Sequence, residues 1–167
     1  MLQKKICMLG SFAVGKTSLV RRFVESIFDE KYHTTIGVKV DKKVVRVGGQ
    51  DVTLVLWDIH GEDGFQKLRM EYLRGMSGYL LVVDPVRRQT FEDALSLQAR
   101  VTESMGSIPW VLVLNKSDLI DDWNVDLDRI KGLQDRGQDV LRTSAKTGDG
   151  VEEAFSHLAL AMLKSPS

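Results

Sequence analysis

The 167-residue sequence contains one cysteine, three prolines and no surplus of either charge. A chain whose only cysteine is Cys7 cannot form an internal disulfide, which favours a reducing, cytoplasmic compartment. Basic and acidic residues number 23 each, and this balance argues against nucleic-acid binding, since domains with that function usually carry a basic excess. The longest apolar runs, such as Tyr79–Val83 and Trp110–Leu114, are far too short to span a bilayer.

Two targeting signals are also missing from the sequence. No cysteine near the C-terminus can carry a prenyl group, and no apolar signal region follows Lys4 and Lys5. We therefore expect no intrinsic membrane anchor in this chain. With 43% apolar and 28% charged residues, the composition is that of an ordinary globular protein. The length predicts one domain over residues 1–167, and we expect a monomer.

Short apolar runs alternate with longer amphipathic stretches along the chain, which predicts an α/β fold with a mostly parallel sheet. The predicted strands are Lys5–Leu9, Val38–Val47, Asp51–Trp57, Leu80–Val83, Val111–Leu114 and Val140–Arg142. The predicted helices are Lys16–Glu25, Thr90–Met105, Val125–Arg136 and Val151–Leu163. Gly48-Gly49 is a hairpin turn signal that makes one edge strand antiparallel. The result is a mixed six-stranded sheet with helices on both faces, whose ligands should bind beyond the carboxyl ends of the strands.

A glycine-rich loop joins the first predicted strand to the first predicted helix. Its sequence, Gly10-Ser-Phe-Ala-Val-Gly15-Lys16-Thr17, matches G-x-x-x-x-G-K-[ST] in the strand–loop–helix context that this phosphate-binding motif requires. Backbone N–H groups and the helix N-terminus favour oxyanions there, Lys16 would reach the β- and γ-phosphates, and Thr17 would ligate Mg²⁺. The predicted phosphate-binding residues are Ala13, Val14, Gly15, Lys16, Thr17 and Ser18. An accidental glycine-rich turn is the alternative, and the motif does not distinguish GTP from ATP.

A second polar motif, Asn115-Lys-Ser-Asp118, follows a later apolar strand. Guanine presents two adjacent donors, and an ionised Asp118 would accept both in a charge-assisted pair. Adenine presents an acceptor at the ring nitrogen, and a site that leaves a buried polar group unpaired can reject an analogue about 10⁴-fold. Such tetrapeptides are common loops, so the weight of this one comes from its position two strands beyond the phosphate loop. Thr143-Ser144-Ala145-Lys146 follows the next strand, and its backbone would contact the guanine carbonyl.

These residues together resemble the Ras-superfamily small GTPases, and within them most the Rab branch. Tyr32-His-Thr-Thr-Ile-Gly37 is similar to the Rab switch I, and Trp57-Asp-Ile-His-Gly61 to the W-D-x-x-G of switch II. Tyr72-Leu-Arg-Gly75 resembles the Y-Y-R-G that follows it, and Ser144-Ala-Lys146 matches the last guanine motif. The resemblance covers essentially the whole chain and implies the P-loop GTPase fold.

The resemblance also implies roles for particular residues. Thr35 would be the second protein ligand of Mg²⁺, Asp58 would hold the ion through water, and the Gly61 N–H would touch the γ-phosphate. Phe28 would stack edge-on against the base, and Lys116 would cover the sugar and brace the phosphate loop. In isolation, Phe28 would be interpreted as a core residue and Thr35 as the start of a strand.

Three residues depart from the family pattern near the γ-phosphate. Glu62 stands where members usually have the glutamine that orients the attacking water; it can accept a proton but lacks the amide donor. Gln66 lies too far along to replace it. Phe12 occupies a usually small position, where its ring would either block an arginine finger from a partner or lie outside the loop without effect. His60 precedes Gly61 and is interpreted as a conformational or surface feature of switch II.

Three functions remain open from the sequence. The first is a GTP/GDP switch with slow hydrolysis in which Lys16, Gly61 and Glu62 act on the γ-phosphate. The second is a hydrolysis-deficient nucleotide-binding scaffold, favoured by Phe12 and Glu62. The third, a P-loop nucleotide kinase, leaves Asn115–Asp118 unexplained. Protein effectors and regulators would bind a switch surface formed by Ile36, Val40, Trp57 and Tyr72, where an exposed Trp57 would indicate a partner site and a buried one a core residue.

Overall fold

The computed structural model describes residues 2–11, 13–25, 37–60 and 70–164. Within these residues the strands are β1 Leu2–Gly10, β2 Gly37–Val47, β3 Gln50–His60, β4 Gly78–Val83, β5 Trp110–Leu114 and β6 Val140–Arg142. The α-helices of the same ranges are α1 Lys16–Glu25, α2 Gln89–Met105, α3 Leu127–Asp135 and α4 Val151–Lys164. There are also 3₁₀ turns at Met70–Leu73 and Ser117–Asp122.

The strands form one six-stranded sheet in the order β2-β3-β1-β4-β5-β6. Among the described strands only β2 and β3 pair antiparallel, and the pairs β1–β3, β1–β4, β4–β5 and β5–β6 are parallel. The turn between β2 and β3 uses Gly48 at φ 59° and Gly49 at φ 80°, the left-handed backbone that a tight hairpin requires and glycine adopts without strain. The mixed sheet with one antiparallel edge strand is therefore confirmed.

Two apolar layers cover the sheet, because side chains of successive strand residues point to opposite faces. On one face Ile6 and Met8 pack with residues of α1 and α4, where the rings of Phe23 and Phe155 stack at 3.9 Å. On the other face Cys7 and Leu9 pack with residues of α2 and α3. Helices on both faces, as predicted, bury every residue of β4.

Several element boundaries differ from the sequence prediction by one to three residues, and the starts of β1 and α3 have clear physical reasons. Strand β1 begins at Leu2 rather than Lys5, because it continues to pair with β3 beyond the buried residues, with Leu2 opposite Val52. Helix α3 begins at Leu127 rather than Val125, because the Asp126 carboxylate accepts hydrogen bonds from the backbone N–H groups of residues 128 and 129. This N-cap fixes the start of the helix more firmly than apolar periodicity does.

The parallel strands place five polar or glycine positions along one edge of the sheet. They are Gly10, Asp58, Asp84, Asn115 and Thr143, which lie near, at or just beyond the carboxyl ends of β1, β3, β4, β5 and β6. Ligand sites of open α/β sheets lie at such an edge. Within the described residues, no helix is both long enough and apolar enough to cross a membrane.

Candidate functional site

The glycine-rich loop leaves β1 and enters α1 with two positions that only glycine fits. Gly10 has φ 148°, and a Cβ there would lie 2.4 Å from the carbonyl oxygen of Val82. Gly15 has φ 104°, and its Cβ would lie 2.2 Å from Nδ2 of Asn115. Ala13 is also left-handed, at φ 61°. The loop is therefore curled tightly enough for its backbone to touch both β4 and the loop after β5.

Lys16 folds back over this loop instead of extending into solvent. Its Nζ donates to the carbonyl oxygens of Gly10 and Ser11, both at 3.1 Å, and its side chain is 5% exposed. Burial lowers the pKa of Lys16 to about 8; the Asp58 carboxylate opposes this shift and the Arg87 guanidinium adds to it. An ammonium held away from water in this way is strongly stabilised by an anion that reaches it.

Thr17 and Asp58 form the oxygen-rich part of the site. The Thr17 hydroxyl, in the first turn of α1, donates to Oδ2 of Asp58 at 2.5 Å. Asp58 lies near the end of β3 and is 1% exposed. A hydroxyl and a carboxylate are oxygen ligands of the kind that Mg²⁺ prefers, so the donor set fits that ion.

Asn115 joins the phosphate loop to the last two strands. Its amide Nδ2 donates to the Val14 carbonyl at 2.9 Å, its Oδ1 accepts from the Thr143 hydroxyl at 3.1 Å, and its backbone N–H donates to Val83 at 3.0 Å. The side chain is only 2% exposed. Asn115 is thus a buried connector, and its position fixes that of the loop after β5 relative to the phosphate loop.

Lys116 has a left-handed backbone, with φ 64° and ψ 41°. Its Nζ lies 2.6 Å from Oδ2 of Asp84, which also accepts from Nε of Arg87 at 3.0 Å. Burial alone would raise the pKa of the Asp84 carboxyl, but the hydrogen bonds from Lys116 and Arg87 outweigh it and hold this pKa below its ordinary value. Asp84, 1% exposed, therefore anchors Lys116 as a carboxylate.

Asp118 and Ser144 meet although 26 residues separate them. The Ser144 hydroxyl donates to Oδ1 of Asp118 at 2.7 Å and accepts from the backbone N–H of Thr147 at 3.1 Å. Asp118 is exposed, whereas Ser144 and Ala145 are buried. Lys146 is exposed, and its carbonyl accepts from Arg22 of α1 at 3.2 Å. The two motifs that the sequence predicts to bind guanine are therefore adjacent.

The structure brings together most, but not all, of the predicted site residues. Ser18 lies in the first turn of α1, partly buried. Several predicted or discussed residues lie outside the described part of the chain: Phe12, Phe28, residues 32–36 (which include Thr35 and Ile36), Gly61, Glu62 and Gln66. Sequence reasoning missed Asp84, although it directly follows a buried strand, as Asn115 does. It also missed Asp93 of α2, whose Oδ2 accepts from the Ser11 hydroxyl of the phosphate loop at 2.9 Å.

Two described residues of the predicted switch surface, Trp57 and Tyr72, contact Lys5. Val40 of β2 lies opposite Trp57 of β3 and is 45% exposed. The Lys5 ammonium lies 3.6 Å from the centroid of the Trp57 ring and donates to the Tyr72 carbonyl at 2.6 Å. Trp57 and Tyr72 are both partly buried against the layer that contains α2. Trp57 is therefore intermediate between the exposed partner site and the core residue that the sequence left open.

Comparison with known proteins agrees with this architecture. Residues 5–164 match the Ras family. Ras-related protein Rab-4B of Homo sapiens is 37% identical to the chain over 164 residues, which cover 95% of this chain and 76% of that protein. Ras-related protein Rab-4A of Mus musculus is 36% identical over 162 residues, which cover 95% of this chain and 74% of that protein. The chain therefore belongs to the Ras family, as a Rab-like small GTPase.

Proposed function

We propose that the chain is a guanine-nucleotide-dependent switch that binds GTP and GDP together with Mg²⁺. The observation that carries this proposal is the pair of hydrogen bonds made by the Asn115 side chain. They connect the phosphate loop at Val14 to Thr143, which follows β6. A nucleotide has its phosphates and its base about one sugar apart, so the two loops that bind them must be held at a fixed distance. A buried amide that is hydrogen-bonded at both its nitrogen and its oxygen is well suited to that task.

In this proposal the phosphate loop holds the α-, β- and γ-phosphates. Backbone N–H groups of Ala13, Val14 and Gly15 and the N-terminus of α1 at Lys16–Ser18 point to the anion. The Lys16 ammonium moves from the loop carbonyls to the phosphates. The low pKa of Lys16 supports this step, because its charge is poorly stabilised by the protein alone.

Thr17 and Asp58 would hold Mg²⁺, with Thr35 as a further ligand. When bound, the ion neutralises phosphate charge. The protein contributes the orientation of the ligands: the hydrogen bond between the Thr17 hydroxyl and Oδ2 of Asp58 keeps both oxygens at the mouth of the phosphate loop. Phe28 would contact the base, and its role rests on the family resemblance alone.

Base recognition is assigned to Asp118 and the segment Ser144–Lys146. The Asp118 carboxylate would accept both guanine donors, while its bond from Ser144 restrains the side chain at 2.7 Å. Lys116 would lie along the sugar, with its ammonium held by Asp84. A carboxylate already oriented before binding loses little side-chain freedom when the base arrives.

The base assignment is tested by exchanging Asp118→Asn and measuring dissociation constants for GDP, xanthosine diphosphate and ADP. The amide supplies a donor opposite the second carbonyl of xanthine, so preference should move from GDP to the xanthine nucleotide. Asp122→Asn, in the same 3₁₀ turn and exposed, removes an equal charge and should leave GDP preference intact. An Asp118→Asn protein that still selects GDP would refute the assignment.

Hydrolysis is proposed to be slow. Glu62 cannot donate an amide hydrogen bond to the attacking water, and Phe12 adds a ring at the phosphate loop. A hydrolysis-deficient scaffold that signals by binding alone is the second candidate, favoured by the same two residues. A single-turnover assay of the wild type, Glu62→Gln and Phe12→Gly separates the two. Slow hydrolysis by the wild type that Glu62→Gln accelerates supports the switch. Absence of hydrolysis in all three proteins supports the scaffold, and fast hydrolysis by the wild type that neither substitution accelerates contradicts both.

Partner binding is proposed for the surface of Ile36, Val40, Trp57 and Tyr72. The exposure of Val40 and the partial exposure of Trp57 support it, since apolar side chains at a sheet surface are candidates for contact with effectors and regulators. Residues 1–167 are proposed to act as one monomeric domain without nucleic-acid partners. A cytoplasmic, reducing location is proposed because the single thiol, at Cys7, is free and buried.

A further inference from the structure

Trp123 lies five residues beyond Asp118, yet its side chain returns to the base loop, here defined as Asn115–Asp118. The indole Nε1 donates to the Lys116 carbonyl at 3.0 Å. The same carbonyl accepts from the backbone N–H of Leu119 at 2.9 Å, and the Trp123 backbone N–H donates to Ile120 at 3.2 Å. Residues 116–123 are thus closed into a ring by one side-chain and two backbone hydrogen bonds.

The ring closes on the carbonyl of a residue whose backbone is strained. Lys116 is left-handed, and Ala13 is the other non-glycine residue of the described chain with positive φ. A left-handed lysine is strained by its Cβ and persists only where its surroundings hold it. Asp84 holds the side chain of Lys116 and Trp123 holds its carbonyl, so the two contacts fix the residue from opposite ends.

The indole is itself firmly placed. Trp123 is partly buried against the apolar layer that contains α2 and α3. On its ring lies the guanidinium of Arg142 from β6, 5.5 Å from the centroid. An aromatic ring held between a core and a cation has little rotamer freedom. Its N–H is therefore a fixed donor, and the Lys116 carbonyl is tied to the end of β6 as well as to its own loop.

We propose that Trp123 is a positioning residue for guanine recognition, acting through the Lys116 backbone on the direction of the Asp118 carboxylate. The inference rests on the proposed function, in which Asp118 binds the base. Turning the Lys116 peptide would rotate the start of the 3₁₀ turn that carries Asp118. The two carboxylate oxygens would then no longer face both guanine donors at once, because a bidentate pair tolerates little misorientation.

The test compares Trp123→Phe with Trp110→Phe. Phenylalanine keeps an aromatic ring but removes the N–H, so GDP should dissociate from the Trp123→Phe protein about fivefold faster, the equivalent of one hydrogen bond. Trp110 starts β5, at the strand end opposite the base loop, where its ring stacks on Tyr79 at 6.0 Å. The Trp110→Phe protein should release GDP at the wild-type rate.

Base selectivity distinguishes positioning from general support. Inosine diphosphate lacks the exocyclic amine and therefore makes only one of the two hydrogen bonds to Asp118. If Trp123 orients this carboxylate, Trp123→Phe should lower the affinity for GDP more than the affinity for inosine diphosphate. The ratio of the two affinities should therefore fall. An equal loss of affinity for both nucleotides would overturn the inference. So would a GDP dissociation rate equal to that of the Trp110→Phe protein.

If the Trp123→Phe protein does not fold, hydrogen exchange of the indole N–H in the wild type tests the same inference. The indole N–H resonances of the GDP-bound protein can be assigned with Trp57→Phe and Trp110→Phe, leaving Trp123 as the third. Its indole proton should exchange with water much more slowly than in the urea-unfolded chain, and equally fast exchange would overturn the inference alone. A wild type that binds ADP as well as GDP would instead refute the proposed function, and the inference with it.

Discussion

Replacing Asn115 with alanine removes the connector between the two halves of the proposed nucleotide site. The substitution leaves the Val14 carbonyl and the Thr143 hydroxyl without the partners that they have at 2.9 and 3.1 Å. Thr143 is 0% exposed, so water does not easily take the place of the lost amide. Each buried group left unsatisfied costs about 1–3 kcal/mol, and we expect the free energy of unfolding to fall by about 3 kcal/mol.

Urea unfolding measured at several GDP concentrations and extrapolated to zero GDP isolates this loss, since bound GDP adds a stabilisation that changes with the affinity of each variant. With a slope of about 2 kcal/mol per molar urea, the midpoint should fall by about 1.5 M. Thr143→Val should lower the free energy of unfolding by less, because it breaks only one of the two hydrogen bonds of the Asn115 side chain. The double variant should lose less free energy than the sum of the two single losses. Asn124→Ala, at an exposed asparagine, is the control. An Asn115→Ala midpoint equal to that of the control would refute the connector role.

Three further predictions concern Asp84, Cys7 and Gly15. Because the pKa of Asp84 is lowered, its carboxylate stabilises the fold at pH values above the unfolded pKa of about 3.9, and this stabilisation is lost as the pH falls through the folded pKa. Asp84→Asn should therefore lower the free energy of unfolding at pH 7 and make this free energy fall less steeply in acid. An unchanged slope in acid would contradict this. Burial raises the pKa of Cys7 to about 12, although the charge of Lys5 opposes the shift; at pH 8 iodoacetamide should therefore alkylate the native thiol at least about 10³-fold more slowly than the urea-unfolded one, and similar rates would show that the thiol is accessible. Gly15→Ala should weaken GDP binding and stability more than Gly137→Ala in the same assays, because both have positive φ but only the Cβ at Gly15 meets another atom within 4 Å; equal effects would assign the loss to backbone strain.

Much of the fold could be predicted because its signals are local. The buried run Leu80–Val83 and the glycine pair at 48 and 49 each require one type of structure, whatever the rest of the chain does. The start of α3 was misplaced because two signals compete there: Val125 fits the apolar period, but the Asp126 side chain caps the helix one residue later. A side-chain cap is decided by hydrogen-bond geometry, which apolar spacing does not contain.

For the candidate site, the positions of residues could be predicted from the sequence, but their contacts could not. Lys16, Asn115 and Asp118 could be placed at one edge of the sheet because each follows a predicted parallel strand. Their contacts could not be predicted, since the bond from Asn115 to Val14 spans 101 positions. Asp84 was missed for the same reason: its chemistry depends on Lys116, which lies 32 positions away. An aspartate after a strand is in itself only an exposed loop residue.

In the proposed function, nucleotide binding and hydrolysis depend on different residues and should therefore be separable. Asn115, Lys116 and Ser144 hold the base loop through Val14, Asp84 and Asp118, so the retention of GDP should depend on this side of the site. Glu62 belongs to the switch II motif, which the family resemblance places at the γ-phosphate, and GDP has no γ-phosphate. Glu62→Gln should therefore change the hydrolysis rate while GDP dissociates within about twofold of the wild-type rate, a change of under about 0.5 kcal/mol. Fluorescent-GDP release and single-turnover hydrolysis on the same preparations measure both quantities. A matching change in the two rates would mean that switch II also supports the bound diphosphate, and the separation would be wrong.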